Sequence, residues 1–312
     1  MNLIQLAQLT ETEAREHIEK IIWANGVTCP HCQTVDNATK MQGKTTRAGL
    51  YKCKNKTCRK PFTVTQGTVM EGSKVSLRNW LMAIHLLCSS RKGFSANQLQ
   101  KELGLGSYET AWLLLHKIRH AMDTGSFIPK KMEGAIAADE TYVGGRPRFK
   151  NSGKRGRGTP KTPVFALVET KGGRVLAQPL ERVNGTNIRR IICENVSPSA
   201  TIMTDEFSVY RGLDKIFAKH GVVNHKQKQY VKDGMSTNEA ESFFALIKRG
   251  HHGIYHQYSK QHLPLYIAEC QYRWNTRFDD ADARLNKVIV LSQGKQLTYK
   301  TPKNKVKSLK TK

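Results

Sequence analysis

The segment GAIAADETYVGG, residues 134–145, predicts a β-strand that is bounded by glycine and carries two adjacent acids. Two apolar strands follow it, PVFALVET (163–170) and GRVLAQPL (173–180). The turn KGG joins those two strands, which favours antiparallel pairing. The chain therefore contains a region that starts with hairpin-type strands.

The remainder of this region alternates helix and strand. NGTNIRRIICENV (184–196) predicts a helix, ATIMTDE (200–206) a short buried strand and GVVNH (221–225) another strand. Two helices are predicted at about 237–249 and 260–277. Three hairpin-type strands followed by alternating helix and strand predict an α/β fold: a mixed, RNase H-like sheet with helices on its faces. We assign residues 131–295 to this domain.

Composition and charge narrow the class of protein. The 312 residues carry a formal net charge of +26, and 38% of them are hydrophobic, enough to form a real core. A surface this basic predicts a polyanionic partner, with nucleic acid ahead of an anionic membrane surface. No run of 18 apolar residues and no signal peptide are evident, so a cytoplasmic, nucleoid-associated protein that does not span a membrane is expected.

Four of the seven cysteines form two closely spaced pairs near the N-terminus. Cys29 and Cys32 are separated by two residues, Cys53 and Cys58 by four, and the pairs by twenty. Thiolates at this spacing, among short β-like stretches, predict one structural Zn²⁺ in a zinc ribbon within residues 1–72. The alternative is four unrelated buried thiols.

Residues 73–130 are predicted to be helical. SANQLQKELGLGSYETAWLLLHKIRHAM (95–122) predicts helix, glycine-containing turn and helix, the layout of a helix-turn-helix. Ser107–Met122 is then the candidate recognition helix, with Lys117 and Arg119 as candidate phosphate contacts. An ordinary helical hairpin explains the same periodicity, and only the charge of the chain favours DNA.

A basic segment separates the first two strands of the α/β domain. Residues 144–163 contain no acid, which predicts a flexible DNA-contacting loop, although a solvated linker has the same composition. Residues 296–312 form a similar basic tail, for which the linker interpretation is preferred. The candidate DNA contacts in the loop are Arg146, Arg148, Lys154, Arg155 and Arg157.

Three acids are candidates for a metal site. Asp139 lies in the first strand, Asp205 ends the strand ATIMT, and Glu241 lies near the start of a helix. Strand ends and helix starts at one edge of an α/β sheet can bring distant side chains together. Converging carboxylates repel unless cations bind them, and oxygen ligands select Mg²⁺ or Mn²⁺. Two such ions suit phosphoryl transfer. Taken singly, each acid is an ordinary surface residue.

Side-chain periodicity limits which neighbours can share this site. Glu140 and Asp139 face opposite sides of a strand, and Glu239 lies about 200° around a helix from Glu241. Asn238, Glu241 and Lys248 share a helix face. Lys248 is therefore expected to reach the same cleft.

Several stretches resemble one known family, the DDE transposases of bacterial insertion sequences that have an N-terminal zinc ribbon and an ISXO-like catalytic domain. They are CPHC, YKCKNKTCRKPFTVTQGTVM, ADETYVGGR, TDEFSVY, VNH and STNEAESFFALIKRGHHGIYHQYSKQHLPLYIAECQYRWNTR. The resemblance covers nearly the whole chain. It implies a catalytic triad of Asp139, Asp205 and Glu241, and the 35 residues between the last two match the wider DDE group. Lys248 matches the lysine that follows the glutamate in this family.

The resemblance also implies an activity. The ribbon and the helix-turn-helix would recognise terminal inverted repeats, metal-activated water would cut each end, and the freed 3′-hydroxyl would join target DNA, with no small-molecule substrate. Lys248, Arg249 and Asn238 are candidate DNA contacts, and a homodimer or larger assembly on DNA is expected. Two alternatives stay open: a zinc-ribbon DNA-binding regulator that does not cut, and a structure-selective nuclease.

Overall fold

The computed structural model of the chain describes residues 1–124, 130–144, 161–223, 231–232 and 235–298, which divide into two units. The first unit comprises residues 1–89, 96–121 and those from 280 onward, and the second comprises 90–95 and 122–279. None of the described helices has the length and apolar character needed to cross a membrane. The elements in chain order are α1 (Leu3–Gln8), α2 (Glu11–Ile22), β1 (Ala38–Lys40), β2 (Tyr51–Cys53), β3 (Pro61–Phe62), α3 (Leu77–Ser89), α4 (Ala96–Glu102), α5 (Tyr108–Met122), β4 (Ala135–Val143), β5 (Thr162–Glu169), β6 (Val175–Pro179), α6 (Gly185–Asn195), β7 (Thr201–Asp205), β8 (Lys219–Val223), β9 (Val231–Lys232), β10 (Met235–Ser236), α7 (Asn238–Gly250), α8 (Leu263–Asn275) and α9 (Ala281–Leu291).

The first unit contains a small antiparallel sheet of β1, β2 and β3. Its core is a buried cluster in which Trp23, at the end of α2, packs edge-on against the rings of Tyr51 (4.9 Å between centroids) and Phe62 (6.0 Å). Two of the paired cysteines, Cys29 and Cys53, are buried beside these rings. So few apolar residues make a marginal core, and a bound metal would stabilise it.

Helix α9 also belongs to the first unit, where it packs against α2 and α3. Its buried face consists of Leu285, Val288 and Ile289. The segment that follows is tied to the end of the ribbon, since the amide of Gly294 donates to the carbonyl of Gly67 at 2.7 Å. The sequence predicts that residues 131–295 form one domain, whereas the side chains of α9 pack against helices about 200 to 270 residues earlier in the chain.

The second unit is built on a five-stranded mixed sheet with the order β6-β5-β4-β7-β8. The first three strands in sequence pair antiparallel, while β4 pairs with β7 and β7 with β8 in parallel. Two hairpins join β4, β5 and β6, and β7 and then β8 extend the sheet beyond β4, each reached through an intervening segment. The predicted α/β fold with a mixed sheet is confirmed.

Helices cover both faces of this sheet. Ile136, Ala138 and Ile202 pack on one face against α6, whose first turn is capped by the Asn184 side chain. Ala137 and Met203, which have the opposite parity, pack on the other face with α7 and α8. The alternation of side chains along β4 and β7 therefore decides which residues face α7.

Helix α8 closes the outer edge of the sheet at β6. The amide of Val175 donates to Asn275 Oδ1 (2.7 Å), and Asn275 Nδ2 donates to the carbonyl of Val175 (3.0 Å). One turn earlier in α8, Gln271 Oε1 accepts from the amide of Ala177 (2.9 Å). Two side-chain amides thus satisfy backbone groups that an edge strand would otherwise leave open.

Replacing Gln271 should loosen this edge. Gln271→Ala leaves the buried amide of Ala177 without its acceptor, which costs about 1–3 kcal/mol locally. We expect amide exchange in residues 174–180 to accelerate about tenfold or more, measured by hydrogen–deuterium exchange. Gln261→Ala, at an exposed position before α8, is the matched control. Unchanged exchange in Gln271→Ala would contradict the proposed role of Gln271.

Candidate active site and zinc site

The four predicted zinc ligands come together in the first unit. Cys29 Sγ lies 3.8 Å from Cys58 Sγ, Cys32 Sγ lies 3.6 Å from Cys53 Sγ, and all four sulfur atoms lie within 4.8 Å of one another. Four thiolates at about 2.3 Å from a tetrahedral Zn²⁺ are separated by about 3.8 Å. The sulfur positions fit one zinc ion, and the alternative of unrelated thiols is excluded.

Two matching turns produce this arrangement. Gln33, directly after Cys32, has φ 60°, and Arg59, directly after Cys58, has φ 49°. A left-handed residue after the second cysteine folds each pair back on itself, as in a zinc knuckle. The backbone thus presents both pairs of sulfur atoms to one point.

The thiols titrate unequally because their surroundings differ. The Thr34 hydroxyl, 3.2 Å from Cys32 Sγ, lowers the pKa of Cys32 to about 6, while burial raises the pKa of Cys53 to about 12. Burial also raises the pKa of Cys29. A thiolate pair in this pocket needs a cation beside it, which supports a structural Zn²⁺.

The two aspartates of the predicted triad lie on neighbouring parallel strands of the sheet. The parallel register pairs Ala135 with Thr201 and Ala137 with Met203, and Asp139 and Asp205 each lie two residues further along their strands. Both have the parity of Ala137 and Met203, so both face α7. The amide of Phe207 donates to Asp205 Oδ1 at 2.9 Å and fixes that carboxylate at the strand end.

Electrostatics link Asp205 and Glu241 to Asp139. The pKa of Asp139 is raised to about 7, first by burial and then by the negative charges of Glu140, Asp205 and Glu241, although the amide of Glu140 donates to Asp139 Oδ1 and opposes the rise. Glu241 lies in the first turn of α7 and is exposed.

Glu140 has a separate role on the opposite face of the sheet. The hydroxyl of the buried Tyr210 donates to Glu140 Oε2 at 2.8 Å. Burial raises the pKa of Tyr210, so the hydroxyl stays a donor. Asp139 and Glu140 therefore face opposite sides of the sheet, as the alternation of side chains along a strand predicts.

The carboxylates lie further apart than the sulfur atoms of the zinc site. Among the described ranges, the four cysteines form the one group of three or more potential ligand atoms within 4.8 Å of each other. Asp139, Asp205 and Glu241 share a face without forming such a close group.

Helix α7 carries the remaining predicted residues of this site. Lys248 follows Glu241 by seven positions, two turns along the same flank, and is exposed, as are Asn238 and Arg249. Lys248 and Arg249 occupy the last turn, where positive charge also favours the helix dipole. These side chains can reach a ligand that approaches along α7.

The predicted DNA contacts in α5 differ in their exposure. Lys117 is partly buried, and burial lowers its pKa, while its Nζ donates to the carbonyl of Glu71 at 3.4 Å. Arg119 is 2% exposed. Its guanidinium is not available to a phosphate, which contradicts the prediction that Arg119 contacts DNA. The charge of a residue in the sequence does not reveal which face of its helix is buried.

The helix-turn-helix stays a prediction. Helices α4 and α5 are present, but beyond Glu109 every residue of α5 is buried or partly buried. A recognition helix needs an exposed face. The candidate contacts Arg146, Arg148, Lys154, Arg155 and Arg157 lie outside the described residues.

Sequence reasoning missed a buried polar group in α8. Glu269, which is fully buried, forms an ion pair with Arg273 at 2.8 Å and accepts from the hydroxyl of Tyr255 at 2.7 Å. The spacing of four residues between an acid and an arginine on one helix is the signal that could have indicated the pair.

Removing one sulfur ligand should release the metal. We expect wild-type protein to carry about one zinc per chain and Cys53→Ser to lose most of it, since three ligands hold zinc far less tightly. Elemental analysis of the purified chain gives the content, and limited proteolysis within residues 23–62 reports unfolding. Cys193→Ser, outside the cluster, is the control. Full zinc content in Cys53→Ser would exclude this site.

Neutralising Asp139 should stabilise the metal-free protein. A carboxyl whose folded pKa is raised binds more protons when folded, so stability falls as pH rises from about 4 through about 7. Asp139→Asn removes the carboxyl group whose ionisation causes this fall in stability. We expect a higher melting temperature than wild type at pH 8 in EDTA, and a difference that shrinks toward pH 4, by scanning calorimetry. A lower melting temperature at pH 8 would contradict this electrostatic account.

Comparison with known proteins covers the segments of the chain that contain both sites. The model of the ISXO2-like transposase domain matches residues 131–275, which contain all three carboxylates. The model of the transposase zinc-ribbon domain matches residues 9–61, which contain all four cysteines.

Individual proteins are also similar to the chain. An uncharacterized protein in transposable element ISH50 of Halobacterium salinarum is 31% identical over 283 residues, covering 85% of this chain and 91% of that protein. An uncharacterized transposase-like protein of Haemophilus influenzae is 28% identical over 102 residues, covering 33% of this chain and 81% of that protein.

Among solved structures, the simian T-cell lymphotropic virus intasome in complex with PP2A regulatory subunit B56 gamma contains a similar chain. The TM-score is 0.31 at 13% identity, over 61% of this chain and 65% of that one. A TM-score of 0.31 is too low to establish a shared fold. The family models and the protein from Halobacterium salinarum decide the assignment: the chain belongs to the IS1595-type, ISXO2-like family of transposases.

Proposed function

We propose that the chain is the transposase of an insertion sequence, which cuts DNA at the ends of its element and joins the freed 3′-hydroxyl to target DNA. The observation that carries this proposal is the common orientation of Asp139 and Asp205 on neighbouring parallel strands, with Glu241 acting on Asp139 from α7. Three acids on one side of a sheet, near an exposed lysine, suit a phosphate-transfer site. The proposed reaction needs no nucleophilic Ser, Tyr or Cys of the protein, because water and then the freed 3′-hydroxyl attack the phosphate.

Asp139, Asp205 and Glu241 would hold Mg²⁺ or Mn²⁺, two ions per site. Carboxylate oxygens are the ligands that these cations prefer, and the raised pKa of Asp139 marks a site with excess negative charge. Bound ions would activate the attacking oxygen and stabilise the leaving oxygen. The carboxylates themselves would position the ions, and the amide of Phe207 donates to Asp205 and holds that carboxylate in place.

DNA would bind along α7 and on the zinc ribbon. Asn238, Lys248 and Arg249 are exposed on α7, the helix that carries Glu241. The ribbon segment 38–61 contains no acid, and its basic side chains are all exposed: Lys40, Lys44, Arg47, Lys52, Lys54, Lys56, Arg59 and Lys60. Such a surface neutralises phosphates, which supports a role in binding the terminal inverted repeats.

Transposition joins two element ends, so at least two copies of the chain would act together on DNA. A homodimer or larger assembly would hold the two ends. This proposal follows from the reaction, since each active site acts on one end at a time.

Two other functions use the same modules. A regulator that binds DNA without cutting would need the ribbon and the basic surface but not the carboxylates. A structure-selective nuclease would cut branched or hybrid substrates without joining ends. The family and the grouped acids favour the transposase over both.

Cleavage at the element ends tests the proposal. The chain is incubated with Mg²⁺ or Mn²⁺ and a supercoiled plasmid that carries its gene with native flanks, and breaks are mapped to the nucleotide. We expect breaks at two inverted repeats, lost in EDTA. Asp205→Asn should reduce the rate more than about a hundredfold, since even residues behind metal ligands often cost 10- to 100-fold. It should leave binding of the ends intact.

Asp214→Asn is the control, because Asp214 is an exposed acid in the same unit. Normal cleavage by Asp205→Asn would remove Asp205 from the site. Binding of the flanks without any cleavage by wild type would favour the regulator. Cleavage of branched or hybrid substrates without joining would favour the nuclease.

A further inference from the structure

The backbone pairing between the two aspartate strands stops before it reaches the aspartates. The parallel register of β4 with β7 ends at the pair Ala137 and Met203. Asp139 and Asp205 lie two residues beyond that pair, and both strands fall wholly within the described ranges. The separation of the two carboxylates is therefore left to other contacts. A metal site depends on such contacts, because its ligands must be held at a fixed separation.

A continuous chain of hydrogen bonds joins the two aspartates. Asp205 Oδ1 accepts from the amide of Phe207 (2.9 Å), and the carbonyl of Phe207 accepts from the amide of Tyr210 (3.1 Å). The hydroxyl of Tyr210 donates to Glu140 Oε2 (2.8 Å), and the amide of Glu140 donates to Asp139 Oδ1 (2.8 Å). We call these four hydrogen bonds the tyrosine link.

The segment that carries Tyr210 is held by the core. An aspartate that accepts from the amide two residues later forms a local turn, and Phe207 then begins the 3₁₀ turn Ser208–Tyr210. The ring of Phe207 packs edge-on against that of Tyr210, with centroids 6.3 Å apart. The 3₁₀ turn packs against α6, and Tyr210 is 1% exposed in the apolar cluster of that face. The position of its hydroxyl is therefore fixed by packing.

The bond from Tyr210 to Glu140 is the long-range member of the tyrosine link. These residues lie 70 positions apart in the chain, whereas the other three bonds join residues one to three positions apart. This bond alone connects the segment after β7 to β4, and it alone joins two side chains. A hydroxyl that donates to a carboxylate forms a stronger bond than one to a neutral acceptor. Removing this single hydroxyl would therefore break the tyrosine link and leave its local turns in place.

We propose that Tyr210 is a positioning residue of the metal site, which holds Asp139 in register with Asp205 through its bond to Glu140. The inference rests on the proposed function, which identifies these acids as metal ligands. Tyr210 lies on the α6 face of the sheet, while the aspartates have the parity of the α7 face. Tyr210 acts through Glu140 and contacts neither the ions nor DNA. Residues that orient metal ligands in this way commonly contribute about 10- to 100-fold to metal affinity.

Tyr210→Phe tests the hydroxyl, because phenylalanine keeps the ring that packs against Phe207. Binding of Mn²⁺ to the zinc-loaded full chain is measured from the electron paramagnetic resonance signal of free Mn²⁺. We expect the dissociation constant of Tyr210→Phe to be about tenfold higher than that of wild type. Asp205→Asn, which removes a proposed ligand, identifies the binding that belongs to this site.

Tyr258→Phe is the matched control. Tyr258 is also buried in the second unit, and its hydroxyl donates to the carbonyl of Ile247 at 3.4 Å, outside the tyrosine link. Thermal melting shows that each variant is folded. Tyr258→Phe should bind Mn²⁺ as wild type does, whatever stability it loses. Equal weakening of Mn²⁺ binding in both variants would assign Tyr210 a merely structural role and overturn the inference.

Two variants of Glu140 separate the hydrogen bond from the charge. Glu140→Ala and Glu140→Gln both remove the negative charge, but glutamine keeps an oxygen that can accept from the hydroxyl of Tyr210. We expect Glu140→Ala to bind Mn²⁺ more weakly than Glu140→Gln. Adding Tyr210→Phe to Glu140→Ala should weaken binding no further, since the two residues act through one bond. Equal affinities of Glu140→Ala and Glu140→Gln would contradict the positioning role.

The results also separate this inference from the proposed function. If wild type binds Mn²⁺ and cuts the flanks while Tyr210→Phe binds Mn²⁺ equally well, the positioning role is wrong and the transposase assignment stands. If Tyr210→Phe weakens Mn²⁺ binding but wild type cuts no DNA, the positioning role stands and the proposed function is wrong. If wild type shows no Mn²⁺ binding that depends on Asp205, both are overturned.

Discussion

The parallel pairing of β4 with β7 is the constraint on which the catalytic unit depends. Because this register places Asp139 and Asp205 each two residues beyond a paired position, a slip of one residue in either strand would turn one of the carboxylates to the α6 face of the sheet. The register is fixed by alternate apolar side chains, Ile136 and Ala137 on one strand and Ile202 and Met203 on the other, which bury against different helices. The hydrophobic core therefore positions the acids.

Grouping these acids has an electrostatic cost in the absence of a cation. Asp139 is held where its ionised form is opposed by burial and by three neighbouring acids. The sheet tolerates this because the apolar contacts around it are extensive. The zinc ribbon has a similar electrostatic cost, because burial disfavours the thiolates of Cys29 and Cys53. In both units, packing holds ligands in an arrangement that only a positive ion relieves.

Local patterns in the sequence predicted the parts of the protein that local chemistry decides. The spacing of Cys29, Cys32, Cys53 and Cys58 was sufficient for the zinc site, since each knuckle is a short turn. The grouping of Asp139 and Asp205 was predicted from their positions on strands, and the period of two correctly separated Asp139 from Glu140.

Long-range packing decided the parts that the sequence did not reveal. Arg119 is basic but lies on the buried side of α5, and a single-sequence reading cannot identify that side. Helix α9 returns to the first unit through contacts with α2 and α3, which no pattern within α9 encodes. The π-helical turn His251–Tyr255 that follows α7 has no periodic signal of its own, and the hydroxyl of Tyr255 donates to the distant Glu269.

The closed edge at β6 has a consequence for how the protein is made. The groups that cover Val175 and Ala177 are Asn275 and Gln271, which lie 100 and 94 residues later in the chain. A ribosome adding about 5–20 residues per second takes roughly 5–20 s to reach them. During that interval β6 is an uncovered apolar edge that can pair with another nascent chain. The hydrogen bonds between α8 and β6 therefore govern co-translational aggregation of the chain. They also govern what happens to a product truncated before α8, in which this edge would stay uncovered.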